Sequence, residues 1–181
     1  NWVNLETSAT PAGTRVTALD MSKFPVANRL YYGTNVGQVF RMDNANIDGQ
    51  QAVDITTGKG LPVGFINDIN VDASNSDRVI VTFSNYGIPS VFITEDCGDT
   101  WTNISGNLEE NADGTGNGPS VRSTAFFGGS QGFFGARRQR IFAATSTGLY
   151  YTTRLNGQNT VWRKENVRIG NAVTDEVVAR R

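Results

Sequence analysis

Carboxylates at β-prone segments are the residues with the clearest capacity for chemistry in this sequence. Glycoside hydrolysis generally uses two carboxyl groups, one as general acid and one as base or nucleophile. The candidates lie within or directly after β-prone segments that recur along the chain: Asp20, Asp68, Asp72, Asp175 and Glu176. A carboxylate at such a position is ordinarily a solvated turn residue. No catalytic residue is therefore assigned from this set.

Histidine and cysteine usage narrows the chemistry further. None of the 181 residues is histidine, and Cys97 is the one cysteine. This excludes Ser-His-Asp triads, His-based acid–base catalysis, His-ligated zinc, an internal disulfide and a multi-cysteine metal site. The segment Asn44-x-Asn46-x-Asp48-Gly49 begins like a calcium loop, but Ile55 stands where the loop needs glutamate. No metal site and no cofactor are predicted.

The overall composition is typical of a β-rich domain. Hydrophobic residues make up 38%, charged residues 18%, and there are 20 glycines, which favours strands and turns over a coiled coil or a disordered chain. The net charge of −1 gives no electrostatic basis for binding nucleic acid or an anionic membrane. No apolar run approaches the roughly 18 residues of a membrane span, so membrane insertion is not expected.

A compact hairpin at residues 94–101 shows how the elements are arranged. Its sequence is Thr94-Glu95-Asp96-Cys97-Gly98-Asp99-Thr100-Trp101, with a β-prone run on either side. The Asp96 carboxylate can accept backbone N–H groups across the turn, and Gly98 can take positive φ. Trp101 then brings a large apolar ring to the next strand. The pattern predicts a structural staple formed by Thr94, Asp96, Gly98, Thr100 and Trp101.

The chain repeats a unit of four short strands, here called a, b, c and d, with a period of about 50 residues. Strand-a segments begin at residues 16, 66, 121 and 173, and the first three are each followed by a b–c hairpin and a strand d. Residues 2–5 match strand d. The order d-abcd-abcd-abcd-a predicts one all-β domain over residues 1–181, with whole units at 16–55, 66–104 and 121–164.

The hairpin and the repeat together resemble the Asp-box, or bacterial neuraminidase (BNR), repeat of β-propellers. The resemblance implies four-stranded antiparallel blades, about three of them whole, within a longer propeller of the usual 4–8 blades. A complete small propeller and a β-sandwich are the alternatives. Sialidases, sortilin-type receptors, xyloglucanase-type hydrolases and photosystem-assembly-factor-like proteins share the architecture. The resemblance implies a secreted or cell-surface location.

The sequence does not match the catalytic residues of the xyloglucanase-type hydrolases or of the sialidases well. The xyloglucanase-type family has a catalytic Asp in a Thr-Asp-Val-Gly-Gly-like segment, and the matching stretch here is Thr34-Asn35-Val36-Gly37-Gln38. The amide of Asn35 cannot take a proton as a carboxylate does. Sialidases clamp their substrate with arginines, but Arg29, Arg78 and Arg140 recur at the entry to strand b. This recurrence predicts a repeated structural role, such as pairing with a neighbouring loop.

The ligand face is implied by the propeller resemblance, in which the d–a and b–c connections share one rim. The predicted ligand-binding residues are Asn35, Asn67, Asp68, Asn85, Tyr86, Arg122 and Thr174. This polar set with one aromatic ring suits a sugar or a peptide. Three functions stay open: a non-catalytic module binding glycan or protein, a portion of a glycoside hydrolase without its catalytic residues, and an assembly or scaffold factor. Blades at either end of the array would expose apolar faces, so we expect self-association or further blades that cover them.

Overall fold

The chain is built almost entirely of short antiparallel strands. The structure is a computed structural model that describes residues 10–128, 131–132, 135–136, 139–165, 167 and 169–179. Within these residues the helical structure is a single 3-10 turn at Gly106–Leu108. The same residues contain no helix long and apolar enough to cross a membrane. The all-β prediction is confirmed.

Twelve strands form three four-stranded sheets, called here blades one, two and three. Blade one contains β1 Val16–Met21, β2 Leu30–Thr34, β3 Val39–Met42 and β4 Val53–Asp54, paired in that order. Blade two contains β5 Ile66–Val71, β6 Val79–Phe83, β7 Val91–Thr94 and β8 Thr102–Asn103. Blade three begins with β9 Val121–Phe127. A separate hairpin, β10 Gln131–Gly132 and β11 Gly135–Ala136, precedes its remaining strands β12 Arg140–Thr145, β13 Gly148–Thr152 and β14 Arg163–Lys164.

The blades lie side by side, with β5 of blade two in contact with both β1 and β9, the first strands of its neighbours. Blade two is covered on both faces, and all residues of β6 and β7 are accordingly buried. This explains why their sequences are nearly continuous apolar runs instead of alternating ones. The predicted strand order abcd holds in each blade.

Two hydrophobic cores fill the boundaries between blades. In the first core, Tyr31, Val39 and Ile55 of blade one pack against residues of β5 and β6 and against Trp101 in blade two. The second joins Ile80, Val91, Ile93 and Ile104 of blade two to blade three. Because each such side chain contributes about 1.5–3 kcal/mol on burial, the contacts between blades are a major source of stability.

The first strand of every blade has the same irregularity. The pairing register shifts between Val16 and Ala18, between Ile66 and Asp68, and where β9 meets the end of β12. The extra residue of each bulge is Thr17, Asn67 or Arg122. A bulge changes the direction of the side chain it carries. These three side chains bond to the Ile66 carbonyl, the Arg122 carbonyl and the Asp175 carboxylate, in that order.

The structure differs from the sequence-based prediction at the last strand. Residues 173–179, where a further strand a was predicted, form no strand, and none of the described sheets includes them. Trp101 and Trp162 also lie just before β8 and β14 rather than within them. The strand predicted at residues 2–5 lies outside the described residues.

Candidate functional site

The hairpin at residues 94–101 is closed by side chains from its own sequence. Asp96 Oδ1 accepts hydrogen bonds from Thr94 Oγ1 at 2.7 Å and from the Thr100 N–H at 2.9 Å. Asp96 Oδ2 accepts one from Thr100 Oγ1 at 2.6 Å. Gly98 has φ +89° and donates its N–H to Thr94 Oγ1 at 2.8 Å. Although burial acts to raise it, the pKa of Asp96 is lowered by the Thr100 bonds, which keeps the carboxylate charged.

Trp101 and Trp162, which follow the c–d hairpins of blades two and three, each form a hydrogen bond to the preceding blade. Trp101 Nε1 donates to the carbonyl oxygen of Ile55 at 2.8 Å, and Trp162 Nε1 donates to that of Ile104 at 2.8 Å. Ile55 and Ile104 both follow the outermost strand of a blade. The tryptophan after each hairpin thus joins two blades, whereas the sequence predicted only a structural staple within the hairpin at residues 94–101.

The arginines at the start of strand b join neighbouring blades as well. Arg29 donates to Asp43 at 2.5 Å within blade one, and to Asp77 at 2.5 Å in blade two. Burial opposes the charge on Arg29, but these two bonds outweigh it and raise its pKa. Arg78 pairs with Asp72 and Glu95 and donates to the Gln139 side chain beside blade three. The predicted repeated structural role is confirmed for both arginines.

Cys97 belongs to the same cluster and is a hydrogen-bonding group rather than a nucleophile. Its Sγ donates to Asp77 Oδ1 at 3.0 Å and accepts from Arg29 at 3.0 Å. Burial raises the pKa of the Cys97 thiol to about 11, with the Asp77 bond acting in the same direction. The thiol therefore stays protonated at neutral pH, and protonated thiols are poor nucleophiles.

The inner-strand carboxylates bind backbone N–H groups of the next blade. Asp20 Oδ2 accepts from Val71 at 2.8 Å, and Asp68 Oδ2 accepts from Thr124 at 2.8 Å. Burial raises the pKa of Asp68 to about 6, against the effect of the Thr124 bonds. Asp72 is buried and accepts from Ser74 within its own turn. These carboxylates are used for joining and turning the chain.

Three of the predicted ligand residues also bond along the inner strands. The Asn67 side chain donates to the carbonyl of Arg122, and Arg122 pairs with Asp175. Thr174 donates its N–H to the carbonyl of Thr145 at 3.0 Å and its hydroxyl to that of Ala172 at 3.2 Å. Glu176 is exposed beside them. A ligand role for these residues stays a prediction.

Two further predicted residues, Asn35 and Asn85, hold the rim together. Asn35 Oδ1 accepts the N–H of Arg15 at 2.7 Å, and Asn85 Oδ1 accepts that of Phe65 at 2.5 Å. Ser146 Oγ does the same for Ser120 at 3.1 Å. Each b–c turn is therefore tied to the residue just before its own strand a. The b–c and d–a connections share one rim, as the propeller resemblance implied.

Tyr86 is the predicted residue that remains open to a ligand. Its side chain is 69% exposed at the b–c turn of blade two. It borders a depression of about 480 Å³ between blades two and three. The remaining lining residues are Gly116, Asn117, Gly118, Pro119, Ser146 and Thr147. Sequence reasoning assigned no ligand role to the 116–119 stretch, which lies in the connection between blades two and three.

The connection beside this depression is stabilised by hydrogen bonds to its own carboxylates. Glu110 Oε2 accepts the N–H of Asn117 at 2.5 Å, and Asp113 Oδ1 accepts the N–H of Thr115 at 3.0 Å. Glu109 Oε1 accepts the N–H of Ser90 at 2.8 Å. The depression is therefore preformed. Among the described residues, no group of three or more His, Cys, Asp or Glu side chains could hold a metal ion.

Comparison with known proteins supports the architecture. No family model matches the sequence, and no curated protein matches it. A crystal structure of the GH74 enzyme of Niastella koreensis matches with a TM-score of 0.55 and 18% sequence identity, over 82% of this chain and 23% of that chain. At this identity the likeness shows the fold alone. The chain is thus an all-β, propeller-like array of four-stranded antiparallel blades that spans about a quarter of that neighbour's length.

Proposed function

We propose that the chain is a non-catalytic binding module of a secreted or cell-surface protein of Asp-box type, and that it binds a neutral glycan. The observation that carries this proposal is the preformed depression beside Tyr86. An exposed aromatic ring next to glycine backbone gives a flat apolar surface with hydrogen-bonding groups around it. A sugar ring presents apolar C–H groups on its face and hydroxyls at its edge, so it matches both features.

The Asp-box assignment is supported by the geometry of residues 94–101. The Asp96 carboxylate accepts three hydrogen bonds across the turn, and Trp101 donates one to the Ile55 carbonyl of the preceding blade. The hairpin at residues 152–160 repeats part of this arrangement, since Asn156 donates its N–H to Thr160 Oγ1 at 3.0 Å and Trp162 comes after it. Both hairpins act as joints, which leaves ligand binding to the rim.

A neutral ligand is favoured by the rim chemistry. The carboxylates Glu109, Glu110 and Asp113 already accept backbone N–H groups. The depression itself is lined by amide, hydroxyl, phenol and backbone groups. Such groups hydrogen-bond hydroxyls without needing a charged partner.

The second candidate is a portion of a glycoside hydrolase, and the GH74 enzyme among the structural neighbours favours it. Against it stands Asn35, whose amide oxygen is bonded to the Arg15 N–H at 2.7 Å. Hydrolysis of a glycosidic bond generally needs two free carboxyl groups flanking the scissile bond. On the described part of the rim between blades two and three, the carboxylates of Glu109, Glu110 and Asp113 are all bonded to backbone.

A glycan array followed by calorimetric titration of the best neutral oligosaccharide tests this proposal. Tyr86→Ala is expected to weaken binding about tenfold or more, since buried aromatic contacts dominate such sites. Tyr86→Phe is expected to retain most of the affinity. Phe24→Ala is the matched control, because Phe24 is 63% exposed but lies between β1 and β2 at the other end of the blade. The proposal fails if no neutral glycan binds, or if the sugar is cleaved on incubation.

A further inference from the structure

The depression beside Tyr86 lies between two described blades and not on an outer side of the array. Tyr86 comes from the b–c turn of blade two, and Ser146 and Thr147 come from that of blade three. Residues 116–119 belong to the connection between β8 and β9. All walls of the depression are therefore formed by described residues, so the polar groups that a ligand meets there can be identified.

Two of the polar side chains that line the depression are already hydrogen-bonded within the protein. Ser146 Oγ accepts the N–H of Ser120 at 3.1 Å, and Thr147 Oγ1 lies 3.1 Å from the hydroxyl of Tyr150. The side chain of Asn117 is exposed, and neither its amide nor the Tyr86 hydroxyl has a hydrogen-bond partner among the described residues. These two groups are therefore the side-chain atoms that are free to bind a ligand.

The backbone of Asn117 is anchored even though its side chain is free. Glu110 Oε2 accepts the Asn117 N–H at 2.5 Å. On one side, a Cβ added to Gly116 would lie 2.6 Å from the Cβ of Glu110. On the other side, a Cβ added to Gly118 would lie 2.5 Å from the carbonyl oxygen of Leu108, a residue of the second core. Close packing on both sides thus determines where the Asn117 side chain begins.

The same connection packs against the turn that carries Tyr86. A Cβ added to Gly114 would collide with the backbone at residues 88–89. Glu109 Oε1 accepts the N–H of Ser90, in the same turn, at 2.8 Å. The aromatic ring and the free amide of the depression are therefore placed by one packed unit, which favours a ligand that contacts both of them.

The chemistry of an asparagine amide indicates which part of a sugar it would bind. The amide carries an acceptor oxygen and a donor nitrogen side by side, so it can bind bidentately to a ligand edge with a neighbouring donor and acceptor. Two hydroxyls on adjacent ring carbons form such an edge, because each hydroxyl can donate and accept. The apolar face of the same sugar ring can then pack on Tyr86.

We infer that Asn117 is the specificity-determining residue of this site, and that it selects sugars with two free hydroxyls on adjacent ring carbons. This assignment rests on the proposed function of the rim and names the class of its ligand. Glu110 is a positioning residue, since its carboxylate bonds to the backbone of Asn117 and leaves the amide side chain to the sugar.

Calorimetric titration of the 181-residue chain with three neutral hexasaccharides tests the choice of ligand. The internal rings of maltohexaose and of β-1,4-linked mannohexaose carry free hydroxyls on C2 and C3, whereas those of β-1,3-linked laminarihexaose carry no adjacent pair. At least one of the first two should bind about tenfold more tightly than laminarihexaose, because a ligand without the pair leaves polar groups of the site unpaired. Methylation of its C2 and C3 hydroxyls should remove this advantage.

Variants at Asn117 and Glu110 test the two roles. Asn117→Ala and Asn117→Asp should each weaken binding of that hexasaccharide about tenfold, since aspartate keeps the size of the side chain but lacks the N–H donors. Glu110→Ala should weaken it too, whereas Glu110→Gln should retain most of the affinity because its amide oxygen can still accept the Asn117 N–H. Asn46→Ala is the control, as this exposed asparagine lies in the c–d hairpin of blade one, at the other end of the blades.

Three results would overturn the inference. The first is that neither 1,4-linked hexasaccharide binds more tightly than laminarihexaose, and the second is that Asn117→Ala has no larger effect than Asn46→Ala. If a neutral glycan still binds with dependence on Tyr86 in these cases, the proposed function stands and only the role of Asn117 is wrong. The third is that no neutral glycan binds at all, which contradicts both. Equal losses in Glu110→Gln and Glu110→Ala would refute the positioning role of Glu110. Circular dichroism spectra equal to wild type confirm that the variants are folded.

Discussion

The hydrogen bond from Trp101 to Ile55 should carry a measurable part of the stability of the blade one–two boundary. Trp101→Phe keeps an aromatic ring at a buried position but removes the indole N–H. The Ile55 carbonyl, on a residue only 1% exposed, then loses the donor that lies 2.8 Å away. Trp162→Phe makes the same change at the next boundary, where the bond to Ile104 is also 2.8 Å.

The expected loss has two contributions. A neutral hydrogen bond has a net value of about 0.5–1.5 kcal/mol, and a buried carbonyl left without a donor costs about 1–3 kcal/mol. These overlap, so the free energy of unfolding should fall by about 2 kcal/mol. For a chain of this size the melting temperature then falls by about 4–8 °C. Because the two tryptophans have the same role, Trp162→Phe should cost a similar amount.

Urea unfolding followed by circular dichroism measures both variants. The double variant should lose the sum of the two single losses, because the boundaries are separate and share no hydrogen bond. A loss below about 0.5 kcal/mol for either variant would refute the assignment of these bonds as joints. So would a Trp101→Phe effect several times that of Trp162→Phe, since the two hydrogen bonds have the same length of 2.8 Å.

Two further predictions concern the carboxylate of Asp68 and the turn at Gly98. Burial raises the pKa of Asp68 to about 6, so the folded state favours the protonated acid, and stability should decrease by up to about 3 kcal/mol as pH rises from about 4 to 6. Asp68→Asn should remove this part of the pH dependence in urea titrations at pH 4 and 7, and an unchanged slope would contradict it. Gly98 has φ +89°, and an added Cβ would meet Ile55 at 2.5 Å, so Gly98→Ala should cost about 2–4 kcal/mol in the same urea assay. Gly49→Ala is the control, with φ +77° but no atom within 4 Å, and should cost only about 1 kcal/mol; equal losses would mean that the contact with Ile55 is unimportant.

The fold could be predicted largely from local sequence signals. The β-prone runs at residues 78–84 and 90–94, the Asp96 turn and the strand pattern within each unit all depend on residues close in sequence. Most strand positions therefore agree with the structure to within one or two residues. The last strand, predicted at 173–178, failed because a strand exists only when a second strand pairs with it, and its own sequence does not supply that partner.

The candidate site was much harder to predict, because its residues are defined by distant contacts. No local signal indicated that Asn35 would bond to Arg15 or that Asn67 would bond to Arg122, 55 residues away. Residue type alone suggested a polar ligand surface for both. The glycine-rich stretch 116–119 carries no sequence signal of a ligand site, and only the structure shows that it lines the same depression as Tyr86.

These contacts separate the residues that maintain the repeat from those free to bind something. Positions that recur in register, such as Arg29 and Arg78 or Trp101 and Trp162, are used between blades in the same way each time. A side chain that is hydrogen-bonded between blades in this way is not available to bind a ligand. Tyr86 has no such bond in the described structure, and its turn is lined by a connection that differs from those of the other blades. Ligand binding in this chain should therefore depend on side chains outside the repeat pattern, whereas variants within the pattern should alter stability first.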